Sequence, residues 1–132
     1  MAHDPVERIR RGYDALWHER DLDAATRGLG PDFEWVVPGH PEGDVRRGPE
    51  AVKAFFAEWL EPWEDADVTY DLSPFGSDRV LAVCTMRGRG RQSGAEVEMQ
   101  FAQLWTFEDD RLVRMVFYGD ADEARAAAGV TG

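Results

Sequence analysis

Few side chains in this sequence can move protons near neutral pH. His40 lies in a loop, residues 38–48 (PGHPEGDVRRG), with two prolines and three glycines. An imidazole there titrates close to neutrality and is a candidate acid or base, although a solvated loop histidine does neither. His3 and His18 are expected at the surface. Cys84 is the only cysteine. It sits in a strand-like segment with no base beside it, so it reads as a buried thiol rather than a nucleophile. Three scattered histidines and one cysteine have no zinc-ligand spacing. The acids at Glu61, Glu64, Asp65 and Asp67, and at Glu108 to Asp110, lack the pattern of a calcium loop. No metal and no cofactor are expected. Gly88-Arg89-Gly90 falls in a hairpin and not between a strand and a helix, so it is no phosphate cradle. Arg87, Arg89 and Arg91 are expected to pair with nearby acids of that hairpin.

Apolar bulk is what the chain holds in quantity. Five Trp, seven Phe, three Tyr and four Met occur in 132 residues, beside a formal net charge of −11. The basic residues are fourteen Arg and Lys53 against 26 acids, which excludes a surface that tracks phosphates and hence nucleic acid as partner. A single cysteine allows no internal disulfide and suits a reducing compartment. There is no Asn, hence no N-glycosylation site. No run of about 18 apolar residues offers a membrane span. The first residues, MAHDPVERIRR, lack the apolar core of a secretion signal. A cytoplasmic, single-domain protein is the expectation, with one core and no partner membrane.

The elements that must position these residues follow from their spacing. Asp4, Pro5 and Glu7 start a helix whose stripe is Val6, Ile9, Tyr13, Leu16 and Trp17. Asp21 caps a shorter helix, Leu22 to Arg27, ended by Gly28 and Gly30. Phe33 to Val37 is a short strand stopped by Pro38, and another short strand lies near Val45 to Arg47. Pro49 opens a third helix with the stripe Val52, Phe55, Phe56, Trp59 and Leu60, ended by Pro62. The period then changes. Val68, Tyr70 and Leu72 alternate with polar residues, Arg79 to Arg87 is strand-like, and Glu96 to Phe107 is a long strand. Leu112 to Tyr118 is the last strand, and Asp120 with Glu123 caps a short helix through Ala128. Helices segregated from an antiparallel meander mean α+β.

Alternation divides the strands into faces. Val97, Met99, Phe101, Gln103, Trp105 and Phe107 share a bulky face that should meet the helices. Val113, Met115 and Phe117 form a similar apolar face. The opposite face mixes Ala102, Leu104, Val116 and Tyr118 with polar residues, which points to a homodimer through the outer sheet surface.

The succession Tyr13…Asp21-Leu22-Asp23, Pro31-Asp32-Phe33, Arg47-Gly48-Pro49-Glu50-Ala51-Val52…Phe56 and Trp105-Thr106-Phe107…Arg111-Leu112-Val113 resembles the SnoaL-like branch of the nuclear transport factor 2-like superfamily. The resemblance spans about residues 5–129. It implies a cone-shaped α+β barrel, a curved antiparallel sheet wrapped around three N-terminal helices, with a pocket inside the cone. It also implies pairing of copies through the outer sheet face. The fold hosts isomerases, cyclases, hydrolases, dehydratases and non-catalytic adaptors, so activity has to come from the site. Ketosteroid isomerases of this fold use a helix-one Tyr, which Tyr13 matches. Their base falls on Val37 and their hydrogen-bonding Asp on Gln103, so that reaction is not expected here. SnoaL-type cyclases use an acid after the last strand, which Asp120 matches, although Asp120 also reads as a helix cap. Asp120, His40 and Tyr13 are thus the candidate catalytic groups. The lining expected inside the cone is Trp17, Trp35, Trp59, Met99 and Phe101, with Gln103, Trp105, Met115 and Phe117. The occupant would be a small hydrophobic molecule, either transformed by acid–base chemistry (cyclase, isomerase or hydratase type) or only bound. A protein-interaction module of the same fold is the third reading.

Overall fold

The computed structural model describes residues 4–38, 45–76, 78–109 and 111–127. Helix α1 (Pro5–Tyr13) starts on Asp4, whose carboxylate accepts from the Glu7 amide at 3.2 Å. It continues as one widened π-helical turn, Asp14–His18, in which the Glu19 amide reaches back to the Asp14 carbonyl at 3.0 Å. That turn brings three consecutive side chains, Ala15, Leu16 and Trp17, into the core. Asp21 caps α2 (Leu22–Thr26) through the Ala24 amide at 3.0 Å. The short strands β1 (Glu34–Val36) and β2 (Val45–Arg47) precede α3 (Gly48–Leu60). Gly48, the first residue of α3, has φ +84°, a left-handed conformation that favours glycine. Four long strands follow: β3 (Trp63–Phe75), β4 (Arg79–Gly90), β5 (Glu96–Glu108) and β6 (Arg111–Tyr118). Helix α4 (Ala121–Ala127) closes the described chain.

The six strands form one curved, unclosed sheet in the order β2-β1-β6-β5-β4-β3. The expected antiparallel arrangement holds for every pair but one, because β1 runs parallel to β6. The main core lies between the helices and the concave face, and includes the fully buried Phe33, Val52, Val68, Val80, Met86 and Met115. Burying side chains of this size contributes about 1.5–3 kcal/mol each.

Three local features depart from simple alternation. A register shift between Thr106 and Phe107 pairs Phe107 with Leu112. Leu112, and not Val113 as the alternation suggested, therefore packs on the core. The far end of β5 runs past the cover of the helices, so Val97 and Met99 are 38% and 41% exposed although they share the inner face. There Arg87 and Arg89 pair with Glu98 and Glu96, at 2.9 and 3.4 Å, as the hairpin reading requires, whereas Arg91 donates to the Glu61 backbone carbonyl at 2.8 Å. Gly88 faces an irregularity in β3, and a Cβ on it would lie 2.8 Å from the Asp65 carbonyl oxygen and 3.0 Å from the Trp63 ring.

On the outer face, α4 folds back over the sheet. Ala124 is fully buried against Leu81, Ala102 and Leu104, with Phe75, Val83 and Tyr118 around them. Part of the apolar outer face is thus covered by the chain's own last helix. No helix among the described residues is long and apolar enough to cross a membrane.

Candidate functional site

The registers of the sheet stack inner-facing residues into rows. Leu72, Ala82, Gln103 and Phe117 form one row, Tyr70, Cys84 and Phe101 the next, and Val80, Trp105, Met115 and Trp35 a third. Tyr13, at the end of α1, lies over the junction of these rows. Its ring stacks on Tyr70 with centroids 5.0 Å apart.

The hydrogen bonds of Tyr13 orient its neighbours. The indole Nε1–H of Trp105, which can only donate, gives to the Tyr13 hydroxyl oxygen at 3.0 Å. The Tyr13 proton then goes to Gln103 Oε1 in a short, buried bond. The Gln103 carbonyl is thereby turned toward Tyr13. Its NH2 group has no partner among the described residues. The indole N–H of Trp35, a residue only 2% exposed, is also buried without a partner among the described residues. A second pair lies beside the first: the Tyr70 hydroxyl donates to Asp14, whose carboxylate also sits 3.2 Å from His18 Nδ1.

Two cavities flank this cluster and share Tyr13, Trp35, Phe56 and Gln103 as a wall. The larger, about 330 Å³, is enclosed by Trp17, Val37, Phe55, Trp59, Phe101 and Phe117, with Glu58 as the one carboxylate among its described lining residues. The rings interlock: Trp35 on Phe56 at 4.9 Å, Phe101 on Phe117 at 5.3 Å and Trp17 on Trp59 at 5.7 Å between centroids. Such pairs add about 0.5–1.5 kcal/mol beyond their buried area and hold the walls in place. The smaller cavity, about 190 Å³, lies between α1 and α2 and includes Trp105 and Leu112.

Burial pushes the Tyr13 hydroxyl well above its ordinary range, and the nearby Cys84 thiol adds to the effect. Burial also raises the Cys84 thiol to about 12, its Sγ lying 4.0 Å from the Tyr13 oxygen. Neither group ionises near neutrality. The cluster offers fixed N–H donors, an arrangement that can hold an acceptor oxygen and stabilise negative charge developing on it.

The structure brings Tyr13, Trp17, Trp35, Trp59, Phe101, Gln103 and Phe117 together around the larger cavity. Trp105 lines the smaller one and supports Tyr13. Met115 is fully buried behind these residues and lines neither cavity, and Met99 stands exposed beyond the helices. Asp120 is exposed at the start of α4, where it accepts from the Glu123 amide at 2.8 Å, and it lines neither cavity. His40 lies outside the described residues. Val37, Phe55, Phe56 and Glu58 were missed as lining residues; Phe55 and Phe56 sit on the α3 stripe with Trp59, whereas Glu58 lies off it. Among the described residues no group of three or more His, Cys, Asp or Glu is placed to hold a metal ion.

Solved structures share this architecture. A nuclear transport factor 2-like protein of unknown function from Burkholderia pseudomallei matches with a TM-score of 0.76 and 24% identity, over 96% of this chain and 97% of that one. A candidate SnoaL-like polyketide cyclase from Jannaschia matches with a TM-score of 0.74 and 19% identity, over 100% of this chain and 99% of that one. A protein of ketosteroid isomerase-like fold from Catenulispora acidiphila, solved in complex with trimethylamine, matches with a TM-score of 0.69 and 18% identity, over 93% of each. At these identities the likeness is one of fold. No curated protein matches the sequence. The family model of the SnoaL-like domain matches residues 9–115, and the chain belongs to that family.

Proposed function

We propose that this SnoaL-like domain binds a small, largely apolar molecule carrying a carbonyl or similar acceptor oxygen in its larger cavity. The observation that carries this reading is a pair of donors without partners among the described residues, the Gln103 NH2 and the buried Trp35 N–H, on two residues of the aromatic-lined cavity. A buried donor left without an acceptor costs about 1–3 kcal/mol, so an oxygen placed there regains that loss. The volume, about 330 Å³, is in the range of small-molecule pockets. It is roughly twice that of an apolar cavity known to hold benzene, which suits a bicyclic body. The trimethylamine complex of the Catenulispora relative supports small-molecule binding within this fold.

Chemistry on the bound molecule is the second reading, favoured by one residue. Glu58, exposed on α3, is the one acidic residue among the described lining, and donors on a carbonyl oxygen favour the enolate that removal of an α-proton would form. This agrees with the acid–base chemistry that the family resemblance implies.

1-Tetralone tests both readings, with tetralin as the analogue lacking the oxygen. Binding followed by tryptophan fluorescence should favour the ketone by about tenfold, equal affinities counting against the proposal. Deuterium exchange at the α-carbon, followed by NMR in D2O, separates enzyme from binder. Exchange that is accelerated by the protein and lost in Glu58→Gln supports catalysis, and exchange at the background rate supports binding alone. A homodimer through the outer sheet face is proposed on the resemblance, with light scattering at twice the chain mass as its check.

A further inference from the structure

Resting on the reading of the larger cavity as the seat of an acceptor oxygen, we propose that its occupant also carries a methylated ammonium group on the carbon beside the carbonyl. Gln103 and Phe101 face the same side of β5 two positions apart, roughly 7 Å along the strand. A carbonyl held at Gln103 therefore leaves a neighbouring substituent beside Phe101. The rings there are crossed and not stacked in one pile. Trp59 stands at 75° to Phe101 and at 76° to Trp17, with centroids 6.4 and 5.7 Å away, while Phe117 lies 5.3 Å from Phe101. Rings set this way form the sides of a box.

The quadrupole of an aromatic face attracts a cation lying within about 6 Å of its centroid. Rings of this cavity already serve that purpose from another side. Arg20 lies over Trp17 at 5.7 Å and Arg46 over Phe55 at 5.1 Å, and neither arginine lines the cavity. Trp59, Phe101 and Phe117 have no cation over them among the described residues, and the ligand's charge is assigned to these three. Methylation matters because a primary ammonium demands three hydrogen-bond acceptors on leaving water, which rings do not supply. A trimethylammonium group demands none and presents apolar methyls. Glu58, exposed and next to Trp59 on α3, adds a carboxylate of the matching sign at the lining. The net charge of −11 favours the approach of a cation over that of an anion.

Phenacyltrimethylammonium tests this on the full chain against neopentyl phenyl ketone, its neutral isostere with carbon in place of nitrogen. Both carry the same oxygen, so only the charge differs. An apolar cavity without cation–ring attraction prefers the neutral ketone, because a cation gives up more hydration on entering. Titrations followed by indole N–H NMR shifts should show the cation saturating the site about tenfold more tightly. The preference should persist in concentrated salt, which screens the general pull of an acidic surface but not contact with rings inside a cavity. Trp59→Leu keeps the wall apolar and should remove the preference while the neutral ketone still binds. Glu58→Gln should only reduce it. Equal affinities in the unaltered protein, tighter binding of the neutral ketone or no binding of either overturns the proposal without requiring any variant to fold. So does a preference that vanishes in salt or survives in full in Trp59→Leu. Complete loss in Glu58→Gln would place the cation on an exposed carboxylate and overturns it too. The 1-tetralone and tetralin pair carries no charge and reports on the acceptor oxygen alone, so failure of that reading and failure of the cation site are told apart.

Discussion

Tyr13, Gln103 and Trp105 form a relay in which the direction of every bond is set by an indole that can only donate. Removing the Tyr13 hydroxyl alone should show how much depends on it. Tyr13→Phe leaves the Trp105 N–H and the Gln103 carbonyl without partners in a buried site. Urea denaturation should report a loss of about 1–3 kcal/mol, the cost of buried groups left unsatisfied and not merely of one bond. The same variant frees the Gln103 amide to turn over, so the preference for 1-tetralone over tetralin should shrink even where the fold is intact. A variant that loses stability but keeps the full ketone preference would mean that Gln103 does not present its NH2 to the ligand. Trp35 is the complement: its N–H has no partner to lose among the described residues, so whatever it contributes through hydrogen bonding should appear only with ligand present.

Among the elements, α4 separates two roles that the sequence left superposed on Asp120. The carboxylate accepts from the Glu123 amide at 2.8 Å, and Glu123 in turn accepts from the Gly119 amide at 3.1 Å, a reciprocal cap. Asp120→Asn preserves an acceptor and should leave thermal stability and α-proton exchange unchanged. Asp120→Ala should cost about 1 kcal/mol by chemical denaturation, because α4 then holds Ala124 less firmly over Leu81, Ala102 and Leu104. Loss of exchange in Asp120→Asn, with the cap intact, would instead assign that carboxylate to the chemistry. Gly88→Ala should be destabilising for a different reason, since backbone at Asp65 stands 2.8 Å from the added Cβ and cannot swing aside as a side chain can. The elements themselves were legible because each repeats a pattern: the helical stripe from Ile9 to Trp17 and the strand alternation from Phe101 to Trp105 both placed their residues correctly. What alternation cannot show is a shift in register, which exchanged Leu112 for Val113, or where helical cover ends, which left Met99 exposed. The site was partly legible for the same reason. Tyr13 and Gln103 fell on faces that had to meet, whereas the unpartnered state of the Trp35 N–H depends on three-dimensional surroundings that no spacing encodes.

For the whole molecule, the groups gathered at this site tie its integrity to alkaline pH. Burial raises the Cys84 thiol from an ordinary 9.0 to about 12. The Tyr70 hydroxyl rises from 10.0 to about 12, through burial and then through its bond to Asp14. Tyr13 is raised as well, chiefly by burial. In each case the folded state binds the proton more tightly than the unfolded chain does. The resulting stabilisation is therefore fully present below the unfolded values and is lost as pH rises through the folded ones. Denaturant unfolding repeated at increasing pH should show stability falling from about pH 9 toward pH 12. Cys84→Ala should delay the onset to about pH 10, where the tyrosines take over. Repulsion among the surplus acids also favours unfolding, and the two effects differ in their response to salt. Screening relieves repulsion between exposed charges but barely reaches a buried thiol or phenol. If the alkaline decline disappears in concentrated salt, surface charge is its cause. If it persists, and tyrosinate absorbance rises together with loss of near-ultraviolet dichroism, the buried cluster sets the limit, and the domain opens at the same place where it is proposed to receive its ligand.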